Sequence, residues 1–174
     1  MWPLFQSSTF MIVVIVVYIS TFCALICCRL DRKVPVNYAL LLVFTVACSA
    51  MVASIAIRYN PIVVLEAALL TAAVVVGVTV YAFVAKTDFT TCGPLPAIFC
   101  CLIAVGVTVS LVWPFSWNTV WCLLGATLFS FYLICDTQMI LGGKHRKYQF
   151  SEDDYIFAAL VLYLDIINLF LYIL

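Results

Sequence analysis

The chain of 174 residues is 67% hydrophobic and only 9% charged, and its formal net charge is zero. Soluble domains are roughly 45–50% apolar and about 25% charged, so this composition indicates an integral membrane protein in a lipid bilayer and excludes a soluble globular domain. The zero net charge argues against nucleic acid as a partner, because domains that bind nucleic acid carry an excess of basic residues.

Six apolar segments follow one another, each close to the ~20 residues that a helix needs to cross a bilayer. They are rich in β-branched residues, but an open strand would leave backbone groups unpaired in lipid, so we predict helices. The predicted fold class is an all-α integral membrane protein, a polytopic helical bundle of six transmembrane helices within one transmembrane domain, 1–174. The predicted spans are residues 10–28, 38–57, 62–85, 95–113, 120–141 and 155–174. Ser151, followed by three acidic residues, predicts the N-cap of the last helix.

The basic residues predict the orientation of the chain. Seven of the eight Lys and Arg residues follow the first, third or fifth span, and only Arg58 follows the second. The positive-inside rule makes those three loops cytosolic, which leaves Met1 and Leu174 on the opposite side. A re-entrant last segment is the alternative, since Asp165 and Asn168 are polar groups at membrane depth. Twenty residues without Gly or Pro favour a full span.

Cysteine and histidine usage argues against disulfides and metal centres. Eight of the nine cysteines lie in or beside apolar runs, where a free cysteine behaves as a small buried hydrophobe, and only Cys92 lies in a polar loop. His145 is the one histidine and no CxxC pair occurs, so we expect no structural metal and no cofactor.

Gly77 and Gly106 are candidate points of close helix approach.

Two acids stand inside apolar runs, Asp136 in the fifth span and Asp165 in the sixth. A carboxylate at bilayer depth costs roughly 2.5–3.5 kcal/mol on insertion scales, so such acids usually face a bundle interior or a wet cavity. At about 1.5 Å per residue they lie ~8 Å and ~15 Å from the cytosolic face, which allows contact without requiring it. Two carboxylates in a dry site cannot both ionise at low cost, so the pair is expected to hold one proton, exchange it for a cation, or act as acid and base. The alternative is a packing role, with each aspartate protonated and bonded to Thr137, Gln138 or Asn168.

Three further polar residues are candidates for the same site. Glu66, near the non-cytosolic interface, and Asn168, in the last span, are candidate ion-path residues. Arg29, at the cytosolic end of the first span, is a candidate basic partner for the aspartates. The alternatives are a solvated interfacial carboxylate for Glu66 and a snorkelling anchor for Arg29.

Six stretches carry a family likeness that covers nearly the whole chain. They are residues 32–38 (RKVPVNY), 65–67 (LEA) with Thr71, 86–90 (KTDFT), 132–138 (YLICDTQ), 154–159 (DYIFAA) and 162–170 (LYLDIINLF). Together they resemble the transmembrane Bax inhibitor motif family, and its lifeguard branch most closely.

The resemblance implies a seven-helix fold with the last helix central. It also implies a pH-gated calcium leak in which a di-aspartyl pair, matching Asp136 and Asp165, closes the path when the two share a proton. Calcium would then be a transported ion, bound transiently near the pair. The family is associated with endoplasmic reticulum and Golgi membranes and with suppression of apoptosis, which implies cell-death regulatory membrane proteins as partners; the plasma membrane is the alternative location. The first span of this chain corresponds to the family's second, so we expect the family's first helix to be lacking.

Three functions are consistent with this pattern. The leading one is a pH-sensitive calcium leak channel of an intracellular membrane, which is not an enzyme. The first alternative is a non-conducting membrane adaptor that regulates cell death through partner contacts. The second is an intramembrane aspartyl protease, which also needs two acids on adjacent helices. Such proteases resemble one another in a GxGD motif, whereas Asp165 stands in the sequence LYLD.

Overall fold

The computed structural model describes residues 7–28, 30–90, 117–143 and 146–174. These residues contain five α-helices, which we number in chain order. They are α1 (Ser8–Ile26), α2 (Val36–Ala56), α3 (Pro61–Val84), α4 (Trp117–Leu141) and α5 (Tyr155–Ile173). Short 3₁₀ turns at Leu30–Arg32 and Glu152–Asp154 precede α2 and α5.

The prediction of a helical membrane protein is confirmed in the described residues. All five helices are long and apolar enough to cross a bilayer, and their ends differ from the predicted spans by at most three residues, at the start of α4. The helix α5 continues without a break through Asp165 and Asn168. The predicted span 95–113, with Gly106, and the residue Cys92 lie outside the described residues, and a central last helix stays a prediction.

Seven hydroxyl side chains inside these apolar helices are tolerated because each of them bonds to its own helix. The Oγ1 atom of Thr71, for example, donates to the carbonyl of Ala67 at 2.7 Å. Such bonds satisfy a buried polar group without a partner from another helix. The same pattern, one turn back along the chain, is made by Ser20, Thr21, Thr45, Ser54, Thr127 and Ser130.

The described chain divides into two compact units. The described residues within 1–65 and 151–160 form the first unit, and those within 66–150 and 161–174 form the second. In the first unit α1 and α2 pack through aromatic rings, with the fully buried Phe44 stacked at 4.9 Å on Tyr18.

The loop before α2 is bonded to the start of α5 within the first unit. Arg32 forms an ion pair with Asp154, with Nε donating to Oδ1 at 3.0 Å. The Asn37 amide donates to the Tyr155 hydroxyl at 2.9 Å. The predicted N-cap at Ser151 is confirmed, because its hydroxyl accepts from the Asp153 backbone while Asp154 accepts from the Ser151 backbone.

In the second unit, α4 ends on two glycines in the left-handed region. Gly142 has a φ of 58° and Gly143 a φ of 117°, values that residues with a Cβ rarely adopt. The Gly142 backbone N–H donates to the Gln138 carbonyl at 3.1 Å, which satisfies one of the free carbonyls at the end of the helix. The chain can therefore leave α4 within two residues of Leu141.

Candidate functional site

Asp136 on α4 and Asp165 on α5 meet within the second unit. The two side chains are buried, with 7% and 6% of their surface exposed, and they lie within hydrogen-bonding reach of each other. A hydrogen bond between two carboxyl groups requires a proton on one of them. The geometry therefore fits a pair of acids that holds one proton and releases it as a unit.

Close packing of α4 against α5 brings the two acids together. Residues 125, 129, 132 and 136 of α4 and residues 161, 165, 168 and 172 of α5 follow the same spacing of four, three and four, which places each set on one face of its helix. At the far end of these faces the Tyr172 ring stacks on Phe129, with centroids 5.6 Å apart. A Cβ on Gly125 would lie 2.3 Å from that tyrosine ring, so only a glycine permits this approach.

One carboxylate oxygen of this pair has no partner among the described residues. The Oδ2 atom of Asp165 is fully buried and accepts no hydrogen bond in the described part of the chain. Neither aspartate forms an ion pair with a described residue. A buried carboxylate oxygen without a partner is costly, and a proton or a cation in the adjacent space would relieve that cost.

A cavity of about 390 Å³ opens beside the pair. One ordered water needs only ~10–15 Å³ on this scale, so the cavity has room for several waters and a cation. The oxygen-bearing side chains on its wall are Tyr132, Asp136, Asp165 and Asn168. Calcium binds six to eight oxygen ligands, chiefly carboxylate and carbonyl oxygens with water, so two acids and one amide supply part of such a shell.

Asn168 contributes an amide to this wall, one helical turn beyond Asp165. Its Nδ2 atom donates to the Leu164 carbonyl at 2.8 Å, in its own helix. The amide nitrogen is therefore already used, and Oδ1 is the amide atom available to a ligand. The amide of Gln138 is also used elsewhere, because Phe89 N donates to its oxygen at 2.9 Å.

Glu66 and Arg29 are the remaining predicted site residues. Glu66 is exposed on α3 and does not line the cavity around the two acids. Arg29 lies outside the described residues, so the structure does not test a basic partner. Gly77, predicted as a point of close approach, has no atom of the described residues within 4 Å of the position where a Cβ would stand, so no described helix makes a contact there.

Sequence reasoning missed Gly125 and the aromatic residues Phe129 and Tyr132. Their signal was present in the sequence, because with Asp136 they repeat at spacings of four, three and four. In a uniformly apolar helix such a stripe does not stand out by hydropathy, since every face is apolar. Reading the spacing outward from the buried acid would have identified it.

The whole chain matches a known family. Residues 1–174 match the family model Bax1-I, described as "Inhibitor of apoptosis-promoting Bax1". The chain is 36% identical over 167 residues to "Protein lifeguard 3" of Homo sapiens and 35% identical to that of Mus musculus, and each alignment covers 91% of this chain and 52% of the relative. It is 38% identical over 141 residues to "Protein lifeguard 4" of Mus musculus, which covers 80% of this chain and 57% of the relative. The chain thus spans about half the length of these curated relatives. No solved structure matches the chain.

Proposed function

Because the chain belongs to the family described as inhibitors of apoptosis-promoting Bax1, in its lifeguard branch, we propose that it is a pH-sensitive calcium leak channel that suppresses apoptosis. The observation that carries this proposal is the buried pair Asp136 and Asp165 beside a cavity whose wall includes four oxygen-bearing side chains. The membrane we propose for it is that of the endoplasmic reticulum or the Golgi apparatus.

A shared proton keeps the proposed channel closed. With one proton between them, the two carboxyl groups hydrogen bond and draw α4 and α5 together at the level of Asp136. When that proton leaves, two negative charges face each other in a poorly hydrated site and repel strongly. Separation of the helices then relieves the repulsion and opens the path, so flux rises with pH.

Calcium enters the proposed mechanism as the transported ion. A divalent cation neutralises both carboxylates, and the Asn168 amide oxygen adds a neutral ligand one turn away. An incomplete set of protein ligands leaves several positions to water, so the ion is held weakly enough to move on. Proton and calcium thereby compete for the same two acids.

A leak of this kind offers a route to cell survival. Calcium that leaves a store continuously lowers the amount that a later signal can release into the cytosol. The proposed partners are therefore calcium, the lipid bilayer and cell-death regulatory membrane proteins. The family description supports the link with apoptosis, and the paired acids support the ion.

Calcium flux into liposomes across a pH series tests the proposal. The purified chain should pass calcium increasingly as pH rises from about 5 to 8. Asp165→Asn should flatten this profile and keep flux low, because an amide donates to the facing carboxylate at every pH. The matched control is Thr127→Val, which removes only a hydroxyl bonded to its own helix.

The two acids should also act as one unit in this assay. The double variant Asp136→Asn with Asp165→Asn should be little worse than either single variant, because residues in one network are not additive. Single effects that add would mean two separate sites and contradict the paired gate. Folded protein without flux at any pH would instead favour the non-conducting adaptor.

A further inference from the structure

A short segment after α3, residues 85–90, is bonded to the helical turn that carries Asp136. We call it the 85–90 segment. The Gln138 side chain is completely buried and binds this region through both ends of its amide. Its oxygen accepts from the Phe89 backbone N–H at 2.9 Å, and its nitrogen donates to the Thr87 carbonyl at 3.2 Å. One side chain therefore holds a donor and an acceptor of the same backbone.

Cys135 also forms a hydrogen bond with Phe89. Its Sγ atom donates to the Phe89 carbonyl at 3.2 Å, so both backbone groups of Phe89 are bonded to α4 side chains. The Phe89 ring meets Phe131 of α4 edge to face, with centroids 5.8 Å apart. Backbone and side chain of Phe89 thus bind to one stretch of α4.

The loop after α4 holds the same region from a second direction. The Arg146 guanidinium donates to the carbonyls of Thr87 and Ala85 at 2.7 and 2.9 Å. The Asp88 carboxylate accepts from the Lys147 backbone N–H at 3.0 Å. These bonds fix the 85–90 segment to α4 and to its exit loop together.

The side chains that bind the 85–90 segment and the side chain that meets Asp165 project from different faces of α4. At about 100° per residue, positions 135 and 138 lie within ~60° of each other, while position 136 lies ~100° from the first and ~160° from the second. The single turn 135–138 therefore binds the 85–90 segment on one side and Asp165 of α5 on the other. A helical turn moves as a rigid piece, so the position of Asp136 depends on both attachments.

We infer that Gln138 is a positioning residue. By binding the 85–90 segment, it holds α4 where Asp136 meets Asp165, and it thereby sets the pH at which the proposed channel opens. The inference rests on the proposed function for its readout in flux. Weaker attachment of the segment destabilises the closed arrangement, so less proton loss is needed to open it. Opening then occurs at lower pH.

Several charged or titratable groups surround this arrangement. Beside the two acids, Tyr132 and Cys135 line the cavity. The groups at the 85–90 segment are Tyr81, Lys86, Asp88, Arg146, Lys147 and Tyr148. Histidine is the side chain whose ordinary pKa lies between pH 5 and 8, and the one histidine, His145, lies outside the described residues. His145→Gln is therefore a required control.

The first test measures the pH midpoint of calcium flux in liposomes for Gln138→Met. This change keeps the length of the side chain and removes its hydrogen bonds. We expect the midpoint to fall by roughly half to one pH unit, the effect of losing one or two ordinary hydrogen bonds when one proton is coupled. Cys135→Ala should shift it in the same direction by less, which keeps the test open if Gln138→Met does not fold. Thr71→Val, which removes a buried hydroxyl bonded only within α3, should leave it unchanged.

The second test does not depend on flux. Amide hydrogen exchange in residues 85–90 should speed up with pH in the wild type beyond the intrinsic rise, and Asp165→Asn should abolish that excess. If flux responds to pH and to Asp165→Asn but neither Gln138→Met nor Cys135→Ala moves the midpoint, the inference fails and the proposed function stands. If no variant passes calcium but the exchange effect is present, the proposed function fails and the coupling stands. If the pH-dependent excess in exchange is the same in Asp165→Asn as in the wild type, the inferred coupling is wrong.

Discussion

Asp88 shows how one side chain sets the shape of a loop. Its carboxylate accepts from the Thr90 hydroxyl at 2.6 Å and from the backbone N–H groups of Thr90 and Lys147. The Thr90 hydroxyl, followed by these N–H groups and the nearby Arg146 charge, holds the pKa of Asp88 below its ordinary value despite some desolvation. The ionised carboxylate is therefore favoured in the folded chain.

Asp88→Asn should lower stability at neutral pH and reduce its loss in acid. A carboxyl whose pKa is lowered by folding contributes stability above its ordinary pKa of about 3.9, and loses it as pH falls through the lower value of the folded state. Melting midpoints in detergent between pH 2 and 7 measure this. Glu152→Gln, at an exposed acid, is the control. Identical acid profiles for Asp88→Asn and wild type would contradict the prediction.

Residue by residue, sequence reasoning located acids better than the groups that support them. A charge inside an apolar run is visible in the sequence, so Asp136 and Asp165 could be named as a pair. The roles of Gln138 and Cys135 could not be predicted, because each binds the backbone of a segment 46 to 51 residues away. Because every residue has the same backbone groups, the sequence does not show which residue each side chain will bind.

At the scale of helices, the contact between α4 and α5 depends on one missing side chain. The Tyr172 ring fills the space in which a Cβ of Gly125 would stand. Gly77, on α3, has no neighbour at the same position among the residues that the structure describes. The two glycines therefore make a matched pair for mutation.

Gly125→Ala should destabilise the protein by about 1–3 kcal/mol, because the tyrosine ring must move and a well-packed contact is lost. Gly77→Ala should be neutral or stabilising by up to about 1 kcal/mol, since alanine favours the helix. Thermal unfolding in detergent compares the two variants.

A second substitution separates steric clash from other causes. Tyr172→Leu combined with Gly125→Ala should recover much of the loss, because the ring that obstructs the new methyl group is gone. Equal melting of the two glycine variants, or no recovery in the double variant, would show that α4 and α5 do not depend on this contact.

The bounds of the helices could be predicted from hydropathy, whereas the contacts between helices could not. The ends of five helices lie within three residues of the prediction because the bilayer fixes the length of an apolar run. The cap at Ser151 followed from its own chemistry. Sequence reasoning named Gly77 and Gly106 as points of close approach and did not name Gly125, because the role of a glycine depends on which helix packs against it.

At the scale of the whole molecule, orientation remains a prediction from charge. Reporter tags inserted in residues 144–147 should be cytosolic and a tag after Leu174 should be lumenal, because seven of eight cations lie on one face. Selective permeabilisation of the plasma membrane distinguishes the two sides. A cytosolic tag after Leu174 would favour the re-entrant last segment, and a lumenal tag at 144–147 would reverse the chain.

The bonds of Arg146 have a consequence for biogenesis. The carbonyl of Ala82, in the last turn of α3, and those of Ala85 and Thr87, just after the helix, find a donor in Arg146, which lies 59 positions beyond Thr87. At about 5–20 residues per second, a ribosome needs roughly 3–12 s to add that length. Until Arg146 has been made, these carbonyls lack that donor. A premature stop between residues 87 and 146 would therefore leave the end of α3 without this donor permanently.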